Sequence, residues 1–237
     1  MEVDIFIPCF IDQIYPEIGF STVKVLEKAG CKPHYNPKQT CCGQPLFNSG
    51  YRHDASKLAV KFINEFSGER YIVTPGASCA GYIKTHFHTL FSEQSHREHF
   101  KILQPKVIEL TDFLINILGL NNFEAEFNEK VTFHTACSAL REYGLKDEPF
   151  QLLKKVKGLT LLELEHSDTC CGFGGTFAVK QTAISQAMAE QKVQNAIATG
   201  ASYITSTEAS CLMNVEGYIK KQKLNIKTIH IAQILAH

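Results

Sequence analysis

Short apolar runs alternate along the first half of the chain with longer segments of helical spacing. Four of these runs are predicted to be buried strands: Val3 to Pro8, Cys31 to Tyr35, Arg70 to Thr74 and Lys106 to Leu110. The intervening amphipathic segments are predicted to be helices: Asp12 to Lys28, Asp54 to Phe66, the segment that opens at Cys79, and Thr111 to Leu118. Alternation of this kind is typical of a parallel sheet with right-handed crossovers.

The second half repeats this order after a polar segment, Gly119 to Glu129, which we interpret as a connector. Its predicted strands are Lys130 to Thr135, Leu159 to Leu164, Ala201 to Thr205 and Ile226 to His230. Its predicted helices are Pro149 to Val156, Gln181 to Ala198, Cys211 to about Lys223, and a short final one. The sequence therefore predicts an α/β fold with two similar domains from an internal duplication, 1–118 and 125–237. Each is a small parallel sheet flanked by helices.

Eight of the nine cysteines follow the same duplication. Offsets of 128, 129 and 132 positions carry Cys9, Cys41 and Cys79 onto Cys137, Cys170 and Cys211, and each middle cysteine has a cysteine neighbour, Cys42 or Cys171. The flanking phrase Gly76-Ala77-Ser78-Cys79 likewise matches Glu208-Ala209-Ser210-Cys211. The ninth cysteine, Cys31, has no counterpart, and we expect it to be a small buried apolar residue.

All eight repeated cysteines follow predicted strands, and the loops after parallel strands gather at one edge of a sheet. We therefore expect each group of four to converge: Cys9, Cys41, Cys42 and Cys79 in one half, and Cys137, Cys170, Cys171 and Cys211 in the other. Adjacent cysteines pair poorly as disulfides. The two groups are accordingly candidate metal sites.

Composition narrows the classes of function. Lys plus Arg equal Asp plus Glu at 24 each, so no basic surplus favours nucleic acid. The acidic start Met-Glu-Val-Asp does not resemble a signal peptide, and no apolar run reaches the length of a membrane span. We therefore expect a cytoplasmic protein whose cysteines serve metal or thiol chemistry instead of disulfides.

Four thiolates can hold either zinc or an iron–sulfur cluster. Adjacent cysteines chelate one tetrahedral zinc awkwardly, whereas a cluster offers them different iron atoms. The pattern therefore favours iron–sulfur clusters, most simply of the 4Fe–4S type, at both groups. Zinc at one site, or a zinc-stabilised scaffold without catalysis, stays open.

Specific phrases support a family resemblance over essentially the whole chain. Those phrases are Cys41-Cys42-Gly43-Gln44-Pro45, Lys146-Asp147-Glu148-Pro149 and Asp168-Thr169-Cys170-Cys171-Gly172-Phe173-Gly174-Gly175. The duplicated pattern resembles the CCG cysteine-rich domain found in heterodisulfide reductases, and the phrases resemble the lactate utilization protein A, or YkgE-like, family. The resemblance implies an iron–sulfur subunit of an L-lactate dehydrogenase complex. It also implies two further lactate utilization proteins as partners, one of them an iron–sulfur protein, and a small hydroxy acid as the substrate. A heterodisulfide-reductase-like thiol/disulfide role is the alternative.

The sequence departs from the fuller CCG pattern, which ends in CxxC. Tyr82 and Asn214 stand three residues after Cys79 and Cys211, so each half offers four cysteines instead of five. The number and type of clusters, the electron acceptor and direct substrate binding therefore remain open.

We also expect the two sites to be unequal. His134 and His166 precede the second group closely, whereas Phe6 and Pro37 hold the corresponding places in the first half. Pro45 removes an amide donor from the first site. The second site is therefore predicted to be the more redox-competent one.

Overall fold

The computed structural model describes residues 1–120 and 123–237. Asn121 and Asn122, which belong to the predicted connector, lie outside the described residues. Within these ranges the chain forms two four-stranded sheets, and every strand pairing in them is parallel. The predicted α/β class, with a duplicated arrangement of small parallel sheets flanked by helices, is confirmed.

The first sheet has the strand order β2-β1-β3-β4. Its strands are β1 Glu2–Ile5, β2 Lys32–Tyr35, β3 Tyr71–Thr74 and β4 Val107–Glu109. The helices of this half are α1 Cys9–Ile14, α2 Pro16–Lys28, α3 Gln44–Asn48, α4 Arg52–Glu65, α5 Ala77–His86, α6 Gln94–Leu103 and α7 Leu110–Asp112. Short 3-10 segments follow at Phe87–Thr89 and Gln104–Lys106, and a π-helical turn at Phe113–Ile117 extends α7.

The second sheet repeats this order as β6-β5-β7-β8. Its strands are β5 Lys130–Phe133, β6 Thr160–Leu162, β7 Tyr203–Ser206 and β8 Lys227–His230. Its helices are α8 Glu148–Leu153, α9 Thr176–Lys180, α10 Thr182–Ala198, α11 Ala209–Gln222 and α12 Ile231–Ala236, preceded by a π-helical turn at Ala139–Tyr143.

One predicted helix is divided in the structure. The segment predicted as a single helix from Asp12 to Lys28 is two helices, which meet at the non-helical Tyr15. Pro16 is the cause, because proline cannot donate the backbone hydrogen bond that would continue α1, yet it is well suited to the first turn of α2. The break allows α1 to begin at Cys9, directly after the first strand.

The two halves pack against each other reciprocally. Helix α12 packs on α2 and α7 packs on α8, while α5 contacts the Ala139–Tyr143 turn and α1 contacts α11. Each contact has its counterpart with the halves exchanged, as expected for a duplicated chain with a pseudo-twofold relation. One hydrophobic core consequently extends across both halves, from Val3 and Leu26 to Val131 and Leu235.

The predicted connector contributes to this core. Phe123, Ala125 and Phe127 are buried and alternate with exposed acidic residues. Phe127 packs its ring edge-on against Tyr203 at 5.3 Å between centroids. The description of this segment as polar is therefore wrong for these three buried positions, while its role as a connector between the two units stays a prediction. Its apolar residues recur at every second position, a strand-like pattern that the charged residues between them make hard to recognise in the sequence.

Glu109, the last residue of β4, makes the stability of the fold depend on pH. It is fully buried, and burial raises its pKa to about 8 although the Thr111 hydroxyl and amide and the Asp112 amide donate to its carboxylate. The unfolded carboxyl releases its proton near pH 4.5, so the free energy of unfolding falls as pH rises from about 4.5 to 8.

We expect Glu109→Gln to remove this part of the pH dependence. Each pKa unit corresponds to about 1.4 kcal/mol, and structural relaxation reduces the total to on the order of 2 kcal/mol. Urea unfolding of the wild type and the variant between pH 5 and pH 9 measures the difference, with Glu27→Gln at an exposed position as the control. Parallel pH profiles for all three proteins would contradict the prediction.

Candidate metal centres

Cys9, Cys41, Cys42 and Cys79, called here the first thiol set, lie together at the carboxyl edge of the first sheet. Cys9 opens α1, the Cys41–Cys42 pair precedes α3, and Cys79 lies in the first turn of α5. The Cys42 Sγ lies 3.4 Å from the Cys79 Sγ, and thiol hydrogen bonds also join Cys41 to Cys9 and to Cys42. The expected convergence of these four residues is observed.

Cys137, Cys170, Cys171 and Cys211, the second thiol set, repeat this arrangement. Hydrogen bonds connect their side chains in the same order, from Cys137 to Cys170, to Cys171 and to Cys211. Cys211 occupies the third position of α11, as Cys79 does in α5. The positive end of a helix dipole therefore favours a thiolate at both places.

Backbone amides also point at the sulfurs. Gly43 donates to the Cys41 Sγ and Gly172 donates to the Cys170 Sγ, each at 3.4 Å. Both glycines have a positive φ, 91° and 88°, which turns the chain back over the cysteine pair. The second thiol set has an additional donor, the Phe173 amide, directed at Cys171.

The thiols of each set share their protons unequally. Hydrogen bonds from Cys42 and Cys9 lower the pKa of Cys41 to about 3, and hydrogen bonds from Cys137 and Cys171 lower the pKa of Cys170 to about 2. In the second set the pKa of Cys211 is also lowered, to about 7, by Cys171 and then by His134. A thiolate is the form that binds metal, so both sets are prepared for a cation.

The two thiol sets lie next to each other across the boundary between the halves. A cavity of about 220 Å³ opens on the second set, and one of about 50 Å³ opens on the first. Their common wall consists of Gln44, Pro45, Ser78, Phe173, Glu208 and Ser210. Phe10, which lines the smaller cavity, meets Phe173 edge-on at 5.3 Å between ring centroids.

Glu208 is a residue of this wall that sequence reasoning did not identify. Its carboxylate accepts a hydrogen bond from the Ser78 amide in α5 and another from the Ser210 hydroxyl in α11, each at 2.9 Å. It thereby ties together the two helix starts that carry Cys79 and Cys211. A signal was available, because Glu208 and Gly76 are the only mismatch in the repeated four-residue phrase. A side chain at Gly76 would strike Pro8, with 2.5 Å to its Cγ.

The two histidines predicted to lie near the second thiol set, His134 and His166, have different surroundings in the structure. His134 is buried at the second thiol set, and a nitrogen of its ring lies within 4.8 Å of the Cys171 and Cys211 Sγ atoms. His166 is exposed, with its ring beside Glu165, so the expected role of this imidazole at the site is wrong. His166 has a positive φ of 53°, and its carbonyl accepts a hydrogen bond from Lys192.

Tyr82 and Asn214, which replace the last cysteine of the fuller CCG pattern, both lie close to the thiol sets. Tyr82 is fully buried near the first thiol set, and its hydroxyl has no hydrogen-bond partner among the described residues. Asn214 donates to the carbonyl of Cys171 and supports the loop of the second set. Cys31 is buried in the shared core, and none of the nine cysteines, all of them in the described ranges, forms a disulfide.

The donor sets fit a metal centre of soft character. Four sulfurs, largely buried and in mutual contact, match the preference of zinc and of iron–sulfur clusters. Amide donors directed at sulfur are the outer contacts that such centres require. Among the described residues no helix is both long and apolar enough to cross a membrane.

Comparison with known proteins agrees with this architecture. The cysteine-rich domain family named CCG matches residues 3–84 and 131–216, one match in each half. "Lactate utilization protein A 2" of Bacillus cereus (strain Q1) is 41% identical over 237 residues, which cover 100% of this chain and 98% of the relative. "Lactate utilization protein A" of Halalkalibacterium halodurans is also 41% identical, covering 100% of this chain and 97% of the relative.

A solved structure supports the fold alone. A hypothetical protein from Helicobacter pylori superposes with a TM-score of 0.67 at 13% identity. The match covers 99% of this chain and 48% of that one, so the chain spans about half the length of that structure. Two family matches, full-length relatives above 40% identity and the duplicated thiol sets lead to one conclusion: the chain belongs to the lactate utilization protein A family of CCG cysteine-rich proteins.

Proposed function

We propose that this protein is the iron–sulfur subunit of a cytoplasmic lactate utilization complex that oxidises L-lactate to pyruvate. In this proposal each CCG unit, 1–118 and 125–237, holds one cluster through its four cysteines, most simply of the 4Fe–4S type. The observation that carries the proposal is the convergence of four thiols at each of two adjacent sites. Clusters of this kind supply one-electron transfer.

The number and closeness of the sites suit electron transfer. L-lactate loses two electrons and two protons when it becomes pyruvate, and two one-electron sites in one chain match that number. The sites share a wall formed by side chains such as Phe173 and Glu208. Electrons can therefore pass between them within a single folded unit and go on to an acceptor held by a partner.

The chemistry of the cavities disfavours direct binding of lactate. No lysine, arginine or histidine is found among the described residues that line the two cavities. Glu142 and Glu208 both face the larger one, and a carboxylate substrate would meet their charge there. We therefore assign lactate binding to one of the two further lactate utilization proteins that we propose as partners, one of them also an iron–sulfur protein.

Metal analysis of protein purified without oxygen tests the proposal. We expect brown protein that contains iron and acid-labile sulfide, with Cys31→Ala as a control that keeps both, because Cys31 lies in the core away from the sites. Stoichiometric zinc without sulfide would contradict the proposal and favour the zinc-stabilised scaffold. Protein without metal that cycles between thiol and disulfide would favour the heterodisulfide-reductase-like alternative.

A further inference from the structure

His134 and Phe6 occupy equivalent positions behind the two thiol sets. Each follows the central strand of its sheet, and each donates its backbone amide to the neighbouring strand, Phe6 to Val73 at 2.9 Å and His134 to Thr205 at 2.8 Å. Both side chains are 1% exposed. The duplication therefore placed a phenyl ring in one half and an imidazole in the other at the same buried point.

The hydrogen bond on one ring nitrogen of His134 fixes the state of the other. Nδ1 lies 3.2 Å from the carbonyl oxygen of Ser167. A carbonyl can only accept, so Nδ1 carries a hydrogen and a neutral ring presents a lone pair at Nε2. That nitrogen is buried and has no hydrogen-bond partner among the described residues. Metal-bound histidines are typically held in this way, by donation from the other nitrogen to a carbonyl or carboxylate.

Lys192 holds the accepting carbonyl in place. Its ammonium group donates to the carbonyls of His166 and Ser167, at 2.6 and 3.1 Å, and the residue is 2% exposed. The equivalent residue in the first half is Phe62, since both belong to the buried face of the helix that covers the cysteine pair. Phe62 packs edge-on against Phe6 at 5.3 Å between ring centroids.

The second half therefore has an imidazole and an ammonium group where the first half has two packed phenyl rings. Burying polar groups costs free energy unless they gain partners, and among the described residues the polar neighbour of His134 besides the Ser167 carbonyl is the Cys211 thiol, whose pKa His134 lowers. Packing stability consequently does not explain His134. A metal ion that accepts the Nε2 lone pair does explain it. The Sγ atoms of Cys171 and Cys211, which lie within 4.8 Å of a nitrogen of this ring, mark the place of that metal.

We propose that Nε2 of His134 is a metal ligand of the second site, which makes its donor set thiolate and imidazole, whereas the first site is thiolate only. Two donors on one tetrahedral metal, with bonds of about 2.1 and 2.3 Å, lie roughly 3.6 Å apart. Binding of the metal therefore draws together groups that now lie within 4.8 Å of one another. The inference rests on the proposed function only in requiring a bound metal. On a cluster with four protein ligands, the imidazole then takes the place of one of the four thiolates of the second set. Neutral imidazole in place of thiolate raises the reduction potential of a cluster, so the second site is the stronger electron acceptor.

The test uses protein labelled with 15N-histidine and prepared without oxygen. In the reduced state we expect pulsed electron paramagnetic resonance to detect a 15N nucleus bonded directly to the metal. The signal disappears in His134→Phe, which copies the first half, and persists in His230→Asn, the control at another buried histidine whose Nε2 lacks a hydrogen-bond partner among the described residues. We also expect His134→Phe to weaken metal binding at the second site by more than about 100-fold, because loss of a group that only supports a ligand already costs about 10- to 100-fold.

Failure of this inference is distinguishable from failure of the proposed function. If the protein contains zinc and no sulfide, the proposed function fails, and the same 15N measurement is made after exchange of zinc for Co²⁺. A metal-loaded second site without a bonded nitrogen, in either preparation, overturns the inference, as does a second site that binds no metal. If the His134→Phe variant does not fold, the same 15N measurement is made on His134→Asn, in which the signal is likewise expected to disappear.

Discussion

Serine in place of Cys171 is expected to reduce lactate oxidation by the reconstituted complex by more than about 100-fold, while Cys42→Ser retains a larger part of the turnover. Loss of a group that merely supports a metal costs about 10- to 100-fold, so loss of a donor exceeds that range. Cys171 lies between Cys170 and Cys211 in the second thiol set and receives the additional amide hydrogen bond from Phe173. It also lies beside His134, which has no counterpart in the first half.

The comparison is informative because Cys42 holds the equivalent position in the first thiol set and is as deeply buried. Thermal unfolding of both variants checks that each is folded, and iron analysis checks that each has lost one site and kept the other. Turnover is then measured with the partner proteins present. If Cys42→Ser abolishes turnover and folded Cys171→Ser keeps it, the inequality of the sites runs in the opposite direction.

Gly172→Ala is expected to destabilise the protein by more than about 3 kcal/mol. A left-handed φ costs a non-glycine residue about 1–2 kcal/mol, and Gly172 has φ +88°. An added Cβ would also lie 2.6 Å from the Ser185 carbonyl oxygen and 3.0 Å from the Met188 Cβ. The loop at Gly172 and helix α10 must therefore move apart. This displaces the Cys170–Cys171 pair from Cys211.

Two other glycines provide graded controls for this change. Gly200 has φ +76° and open space around it, so Gly200→Ala carries only the conformational cost of about 1–2 kcal/mol. Gly43, the counterpart of Gly172, has φ +91° and its nearest contact at 3.4 Å, so Gly43→Ala falls between the two. Urea unfolding of the three variants measures the order. Equal destabilisation by all three would mean that the close packing at Gly172 contributes nothing.

Much of the fold could be predicted because the duplication repeats every local signal. The eight strands lie where the apolar runs predict them, and the cysteines converge because loops after parallel strands share an edge. The local break at Tyr15 was missed, since proline at the first helical turn is also compatible with a continuous helix.

Features that depend on packing between distant segments were not predictable. The adjacency of the two thiol sets results from the way the halves pack, and no spacing in the sequence encodes it. Lys192 resembles an ordinary exposed helix residue until α10 is placed over the His166 and Ser167 carbonyls. His134 was identifiable because it is close to Cys137 in sequence, whereas its orientation required the hydrogen bond to Ser167.

The reciprocal packing of α12 on α2 has a consequence for biosynthesis. Lys28 of α2 donates to the carbonyls of Ala236 and His237, 208 and 209 positions later in the chain. While a ribosome is still extending the chain, the face of α2 that packs on α12 therefore stays uncovered even after the first sheet has emerged. Contacts of such long range form late and slowly. Chaperones thus have a period in which to protect this face before α12 is synthesised.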